Sequence, residues 1–309
     1  MFEKNLEKNI PKPLRKIYAN YFNRSLTNRF INAVNFISPK AATKILHYKK
    51  TGKVLDLDNP TLFNDKLQWL KLYENNDLVT VCADKYEVYN YVLNNGNSNI
   101  LNKLLAVYES TEEIDWYKLP NKFAIKCNHG CGYNIVTSNK SKLDKEEVFY
   151  QLNKWLNKSY GKAHLEYHYD RIKPKIIVEE YIENKEGLLP LDYKVYCFNG
   201  EPKLVLVCSE RESDLKLDFF DLDWKRLNIG HKSKESDKEL VKPSCLNEMI
   251  KNARELSKPF AFVRIDFYDK DGVAILGEFT FTPAANTAKY YNDFGQKYLG
   301  DLLTLPKVK

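Results

Sequence analysis

Between Val263 and Phe281 the chain reads VRIDFYDKDGVAILGEFTF, two β-type runs joined by Asp271-Gly272, each carrying isolated polar residues among apolar ones. Successive side chains on a strand point to opposite faces, so Arg264 and Asp266 share one face while Val263, Ile265 and Phe267 take the other. Glu278 and Thr280 share a face on the return run in the same way. A turn at Gly272 makes Asp266 and Glu278 cross-strand neighbours, close enough to repel each other as anions. The apolar partners Ile265, Phe267, Phe279 and Phe281 mark an interior hairpin, where unpaired carboxylates are costly. Any fold that contains this hairpin has to set positive charge between its acids. Mg²⁺, which binds a few carboxylates and completes its shell with water and phosphates, is the usual occupant. A solvated surface hairpin is the competing reading, and the rest of the chain decides between them.

Charge is unevenly placed along the 309 residues. Residues 1–53 hold twelve Lys or Arg against Glu3 and Glu7, so the whole of the basic excess lies there and the remainder is slightly acidic. Leu14, Ile17, Tyr18, Tyr21, Phe22, Phe30, Ile31, Val34 and Phe36 recur among these charges at helical spacings, which predicts one or two amphipathic basic helices. Such a segment packs on the body, lies on an anionic membrane surface or holds a polyanionic substrate. No nucleic-acid recognition module is visible. No stretch approaches the ~20 apolar residues that span a bilayer. Residues 1–16 are charged and contain two prolines, unlike the apolar core of a secretory signal. The six cysteines are scattered, which suits a reducing cytoplasm. Cys127, His129 and Cys131 lack a second pair of soft ligands at zinc spacing. His164, Glu166 and His168 do not follow the His-Glu-x-x-His order, and 160–169 reads as a solvated polar segment.

The body opens at Asn59-Pro60, with a helix over 61–73 and a second from Cys82 through Val92 in which Asp84 is the N-cap. Strands are expected at 104–108, at 122–127, at 135–137 after a glycine-bearing loop, and at 174–182. A helix covers 142–160. Residues 193–198 and 202–208 form a hairpin around Asn199-Gly200. A helix at 246–256 precedes the hairpin at 263–281.

In chain order the body offers Lys126 on a strand, the loop His129-Gly130-Cys131-Gly132-Tyr133-Asn134, the acidic strand end Glu179-Glu180-Tyr181-Ile182, Lys194, and then Arg264, Asp266 and Glu278. These are the parts of an ATP site. A strand lysine meets the α and β phosphates, loop N–H groups close over the β and γ phosphates, and a backbone hinge pairs with adenine. The words FAIKCNHGCGYNIV, IIVEEYI, DYKVYCFNGEPKLV and FVRIDFY…GEFTF resemble the ATP-grasp superfamily, and within it the TupA-like branch of the teichuronopeptide biosynthesis type, over about residues 60–300.

That resemblance implies an α+β ATP-grasp fold that holds the nucleotide between two subdomains. Its divisions would be a basic helical extension (1–58), an N-terminal subdomain (59–120), a central lid (121–178) and a C-terminal subdomain (179–309). It implies that Lys126 binds phosphate and that His129, Gly130, Gly132 and Asn134 belong to the mobile loop. The Glu180, Tyr181 and Ile182 backbone would meet adenine, with Glu179 or Glu186 near adenine or ribose. Lys194 would point at the γ-phosphate, Arg264 would steady the transferring phosphoryl group, and Lys85 resembles the lysine of a family Asp-Lys pair. A helix-opening, salt-bridged lysine is an equal reading for Lys85. Asp266 and Glu278 would hold Mg²⁺. Many relatives carry asparagine where this chain has Thr280, so the third ligand is the Thr280 hydroxyl, Asn286 or water.

The reaction implied is ATP-dependent ligation of a carboxylate to an amine through an acyl phosphate, with ATP and Mg²⁺ as cofactors. The substrates implied are a small amine or amino acid and a carboxylate-bearing cell-surface glycan or its precursor. The expected location is the cytoplasm, with peripheral contact at the inner face of the membrane through residues 12–53. A kinase acting on a glycan hydroxyl, and a non-catalytic or glycosyltransferase role, are the competing readings.

Overall fold

The computed structural model describes residues 29–187, 189–210 and 214–307. The chain divides between Leu55 and Asp56 into two compact units. In the first unit residues 29–37 are helical and α1 (Pro39–Thr51) follows. Ser38 Oγ accepts from Ala41 N at 3.2 Å, Pro39 fills the first turn, and Gly52 closes the helix in the left-handed region at φ 74°. The part of the basic extension before residue 29 lies outside the described residues.

The second unit begins with α2 (Phe63–Tyr73), α3 (Leu78–Ala83), α4 (Glu87–Asn94), β1 (Leu104–Tyr108), β2 (Phe123–Cys127), β3 (Asn134–Thr137), α5 (Lys145–Leu156) and α6 (Tyr160–His164). It continues with β4 (Ile176–Glu180), β5 (Asp192–Phe198), β6 (Glu201–Ser209), β7 (Lys216–Asp221), α7 (Leu246–Ser257), β8 (Phe262–Lys270), β9 (Val273–Thr280) and α8 (Asp293–Leu302). Two antiparallel sheets result, ordered β1-β4-β2-β3 and β7-β6-β5-β8-β9. Leu104 of β1 lies opposite Glu179 of β4, so the expected divisions at 120/121 and 178/179 fall inside the first sheet.

Alternation decides which face each sheet buries. In the first, Phe123, Ile125, Cys127, Ile176 and Val178 pack with Val148 and Leu152 of α5. Ala124, Lys126, Ile177 and Glu179 therefore take the opposite face. In the second, Val195, Cys197, Val263, Ile265 and Phe267 pack with Leu246, Met249, Ala253 and Leu256 of α7. The other face is divided along its length. At one end Tyr196, Phe198 and Phe262 meet Phe63 of α2 and Leu299 of α8. At the other end stand Lys194, Asp266 and Glu278. Burying a large apolar side chain is worth roughly 1.5–3 kcal/mol, and a one-residue slip would drive Asp266 into the α7 core, so register is strongly specified.

Three expectations are corrected. The helix from Cys82 to Val92 is two helices, because Asp84 Oδ1 accepts from Tyr86 N at 2.8 Å, Glu87 N at 3.3 Å and Asn128 Nδ2 at 2.9 Å, which turns the chain at Lys85. The helix over 142–160 is α5, capped by Asp144, followed by a separate α6. The segment 160–169 is not solvated throughout: Glu166 is 4% exposed and His168 7%.

Candidate active site

The β8–β9 turn has Asp271 and Gly272 both at positive φ, 55° and 88°, as a two-residue hairpin turn requires. Such a turn pairs Lys270 with Val273 and, continued regularly, would set Gly277 opposite Asp266. A bulge between Asp266 and Phe267 absorbs one residue, and Glu278 arrives opposite Asp266 instead. A Cβ at position 277 would lie 3.1 Å from Asp266 O, so glycine suits the tight side of the bulge.

Asp266 is 2% exposed. Arg264 grips it with two bonds of 2.7 Å, Nε to Oδ1 and Nη2 to Oδ2, and Lys194 bonds the same Oδ2. Lys194 also lies 2.5 Å from Asp192 Oδ2, two residues back on β5. Thr280 Oγ1 accepts from Arg264 Nη2 at 3.0 Å and donates to Glu278 Oε1 at 3.2 Å. Burial opposes ionisation of Asp266, but Arg264 and then Lys194 overcome it and hold its carboxyl below the ordinary range. Lys85 Nζ donates to Gly130 O at 2.7 Å and stands 3.9 Å from Glu278 Oε2, tying the loop to this carboxylate.

On the first sheet Lys126 pairs with Glu179, whose Oε1 accepts from Tyr89 OH at 3.0 Å. Burial works against the Lys126 ammonium, but Glu179 outweighs it and raises its pKa. Two adjoining cavities of about 240 Å³ each share Lys126, Asn134 and Tyr268. One is polar, with Lys85, Gly132, Asp192, Lys194, Asp266 and Glu278 in its wall. The other is a more apolar slot with Ala124, Val136, Ile182, Leu189 and Pro190 beside Glu179 and Glu180. A polyphosphate fits the first and a flat heterocycle the second.

The structure thus brings Lys85, Lys126, Gly132, Asn134, Glu179, Glu180, Ile182, Lys194, Asp266 and Glu278 to the walls of these two cavities, with Arg264 and Thr280 bonded behind them. Others fall elsewhere. His129 is 3% exposed, its Nε2 is 3.1 Å from Trp155 O, and it packs edge-on to Tyr133, so it anchors the loop. Gly130 serves the same packing, since a Cβ there would meet the Tyr133 and Tyr160 rings at 2.9 Å. Glu186 is exposed in the 184–187 turn and lines neither cavity. The Glu180 N–H is donated to Lys103 O at 2.9 Å and its carbonyl accepts from Asn102, so its backbone is already engaged, and of the expected hinge Ile182 lines the apolar slot while Tyr181 lines neither cavity. Asn286 is fully buried and bonds Leu67 O at 3.0 Å, within the docking of α2.

Sequence reading missed Asp192, Tyr268, Tyr89 and Asn128. Asp192 was findable, since Asp192 and Lys194 share a strand face. Asn128 braces the loop base through Asp84 Oδ1, Lys173 O and Lys175 N, bonds that no local pattern announces.

Residues 65–304 match the family model described as TupA-like ATPgrasp. No curated protein matches the chain in sequence. Among solved structures, D-alanine–D-alanine ligase from Bacillus anthracis complexed with ATP is similar at 14% identity and TM-score 0.38, over 65% of this chain and 54% of that one. The D-alanine–D-alanine ligase from Helicobacter pylori is similar at 13% identity and TM-score 0.44, over 78% and 69%. An N5-carboxyaminoimidazole synthase from Aspergillus clavatus, in complex with ADP and 5-aminoimidazole ribonucleotide, is similar at 11% identity and TM-score 0.39, over 66% of this chain and 45% of that one. The chain therefore spans about half the length of the first and third of these.

Proposed function

Since the chain belongs to the TupA-like ATP-grasp family, we propose that it is an ATP-dependent carboxylate–amine ligase. The observation that carries this reading is the convergence of Lys126, Lys194 and Arg264 with Asp266 and Glu278 beside an apolar slot. A carboxylate oxygen of one substrate attacks the γ-phosphorus of ATP, and ADP leaves. The amine of the second substrate attacks the acyl carbon, inorganic phosphate leaves, and the nitrogen gives up a proton. Lys126, Lys194 and Arg264 neutralise charge that develops on the phosphoryl oxygens. The 129–134 loop, tethered by Lys85, keeps water from the acyl phosphate.

Asp266 and Glu278 are hard oxygen donors directly opposite each other, and they fit Mg²⁺, with the Thr280 hydroxyl beside them as the remaining protein oxygen. Among the described residues no group of three or more His, Cys, Asp or Glu could hold a metal, so phosphate and water oxygens would complete the shell. Bound there, the ion would supply charge neutralisation on the phosphate oxygens.

As the carboxylate substrate we propose an acidic cell-surface glycan or its precursor, met at the inner face of the membrane. The run 29–55 supports this, with six Lys or Arg and no acid. Phe36 and Ile37 within it are 93% and 85% exposed. No described helix is long and apolar enough to cross a membrane.

The test is ADP release with carboxylates and amines supplied together and separately, repeated with hydroxylamine. Carboxylate-dependent ADP and a trapped hydroxamate are expected. Phosphorylation of a glycan hydroxyl without hydroxamate would replace the ligase with a kinase, and failure to bind ATP would remove the enzymatic reading.

A further inference from the structure

Beyond Thr280 the chain turns away from the phosphate end into a third, smaller cavity of about 80 Å³. Lys71, His168 and Thr282 line it, with Glu74, Phe262 and Phe281. Thr282 is two residues past Thr280 and thus within about 7 Å of it along the chain. Phe262 is two residues before Arg264 on the same face of β8. The cavity therefore continues the face that carries the phosphate site.

Its polar groups are left incomplete. Lys71 Nζ and His168 Nε2 are both buried, and neither has a hydrogen-bond partner. An ammonium in that position costs stability unless an anion joins it. Lys71 is held there by design of the helix: Asn64 Nδ2 donates to Ala288 O at 2.9 Å and Gln68 Nε2 to Asn286 O at 3.2 Å, which fixes α2 one turn before Lys71. The receiving loop is itself constrained, with Ala284, Ala285 and Asn286 in succession at positive φ. The acids stand nearby but do not close on the lysine. Glu166 accepts from Thr282 Oγ1, and Glu74 lines the cavity.

We propose that this cavity binds the carboxylate of a small amino acid, the amine substrate of the ligation, through Lys71 and His168. The inference rests on the ligase reading. The Lys71 ammonium, with His168 Nε2 in its N–H tautomer, suits a carboxylate, and Glu74 in the same wall suits the ammonium of the same zwitterion. A ligand that is only an anion would match one sign of the cavity, and a plain amine only the other. The volume limits what enters to a group of amino-acid head size, with a longer side chain left outside.

The test is calorimetric titration of the full chain, loaded with a non-hydrolysable ATP analogue and Mg²⁺, using glycine, alanine and glutamate against their decarboxylated amines and against acetate. At least one amino acid is expected to bind tenfold or more tightly than both controls. Lys71→Met should weaken that binding at least tenfold and leave the analogue's affinity unchanged, while its melting temperature rises because an unpaired buried charge is gone. His168→Gln, read in the same titration, should weaken amino-acid binding without the loss of nucleotide. Equal binding of acetate or the plain amine, an amino-acid affinity unmoved by Lys71→Met, or a fall in melting temperature would overturn the subsite. Loss of analogue binding by the unmodified chain would instead strike the ligase reading itself.

Discussion

Asp266 accepts from Arg264 through both oxygens and from Lys194 through one, so its charge is what keeps both cations in place. Asp266→Asn should lower ADP formation by roughly two to three orders of magnitude, the usual cost of losing a preorganised charge contact at a reacting centre. Measured ADP release within tenfold of the unmodified chain would contradict that. Glu166 and Lys71 make a separate prediction for stability. Burial pushes Glu166 up from 4.5 to about 7, and Lys71 down from 10.5 to about 8. The folded Glu166 holds its proton more tightly than the unfolded chain does, so its contribution is complete below pH 4.5 and lost as pH rises through 7. The folded Lys71 holds its proton less tightly, so its contribution is complete above pH 10.5 and lost as pH falls through 8. Stability should therefore pass through a minimum between 7 and 8, each flank on the order of 3 kcal/mol. Urea denaturation at pH 5, 7.5 and 9.5 checks this. The double variant Lys71→Met/Glu166→Gln should flatten the curve.

At the scale of elements, two glycines separate loop placement from core packing. Gly130→Ala would press a methyl on the Tyr133 and Tyr160 rings, which can yield only by moving the loop. It should raise the KM for ATP several-fold while the denaturation midpoint changes little. Gly300→Ala sets a Cβ 2.1 Å from Thr61 O, where backbone of α8 meets the entry to α2. There the expected outcome is a loss of about 3 kcal/mol of stability, toward the upper end for overpacking, read by chemical denaturation. The elements differ in how far sequence revealed them. The β8–β9 hairpin was legible because alternation and Asp271-Gly272 are local signals. Its bulge was not, since only the pairing shows that one residue must be absorbed to bring Glu278 opposite Asp266. The break between α3 and α4 was hidden for the same reason. Asp84 looks like a cap within one helix until Asn128, far along the chain, is seen bonded to it.

For the whole molecule, the parts of the phosphate end could be read in order, but Glu166 and His168 could not. A polar segment such as 160–169 gives no sign that α2 and the chain segment after Thr280 enclose it. The basic run 29–55 makes a further prediction at this scale. Lys44→Gln, Lys49→Gln and Lys50→Gln together should reduce sedimentation with anionic lipid vesicles at low salt and leave ATP affinity unchanged. Vesicle binding that survives these changes would argue for another partner.

The four cations of the phosphate end are each already matched by an acid: Lys126 by Glu179, Lys194 by Asp192 and Asp266, Arg264 by Asp266, and Lys85 by Glu278. A bare triphosphate entering that cleft finds no surplus positive charge to claim and meets four carboxylates. On the proposed function the cleft would favour the divalent-metal complex of ATP over free ATP, and the expected outcome is a nucleotide affinity in the presence of a chelator far below that with Mg²⁺ in the same titration.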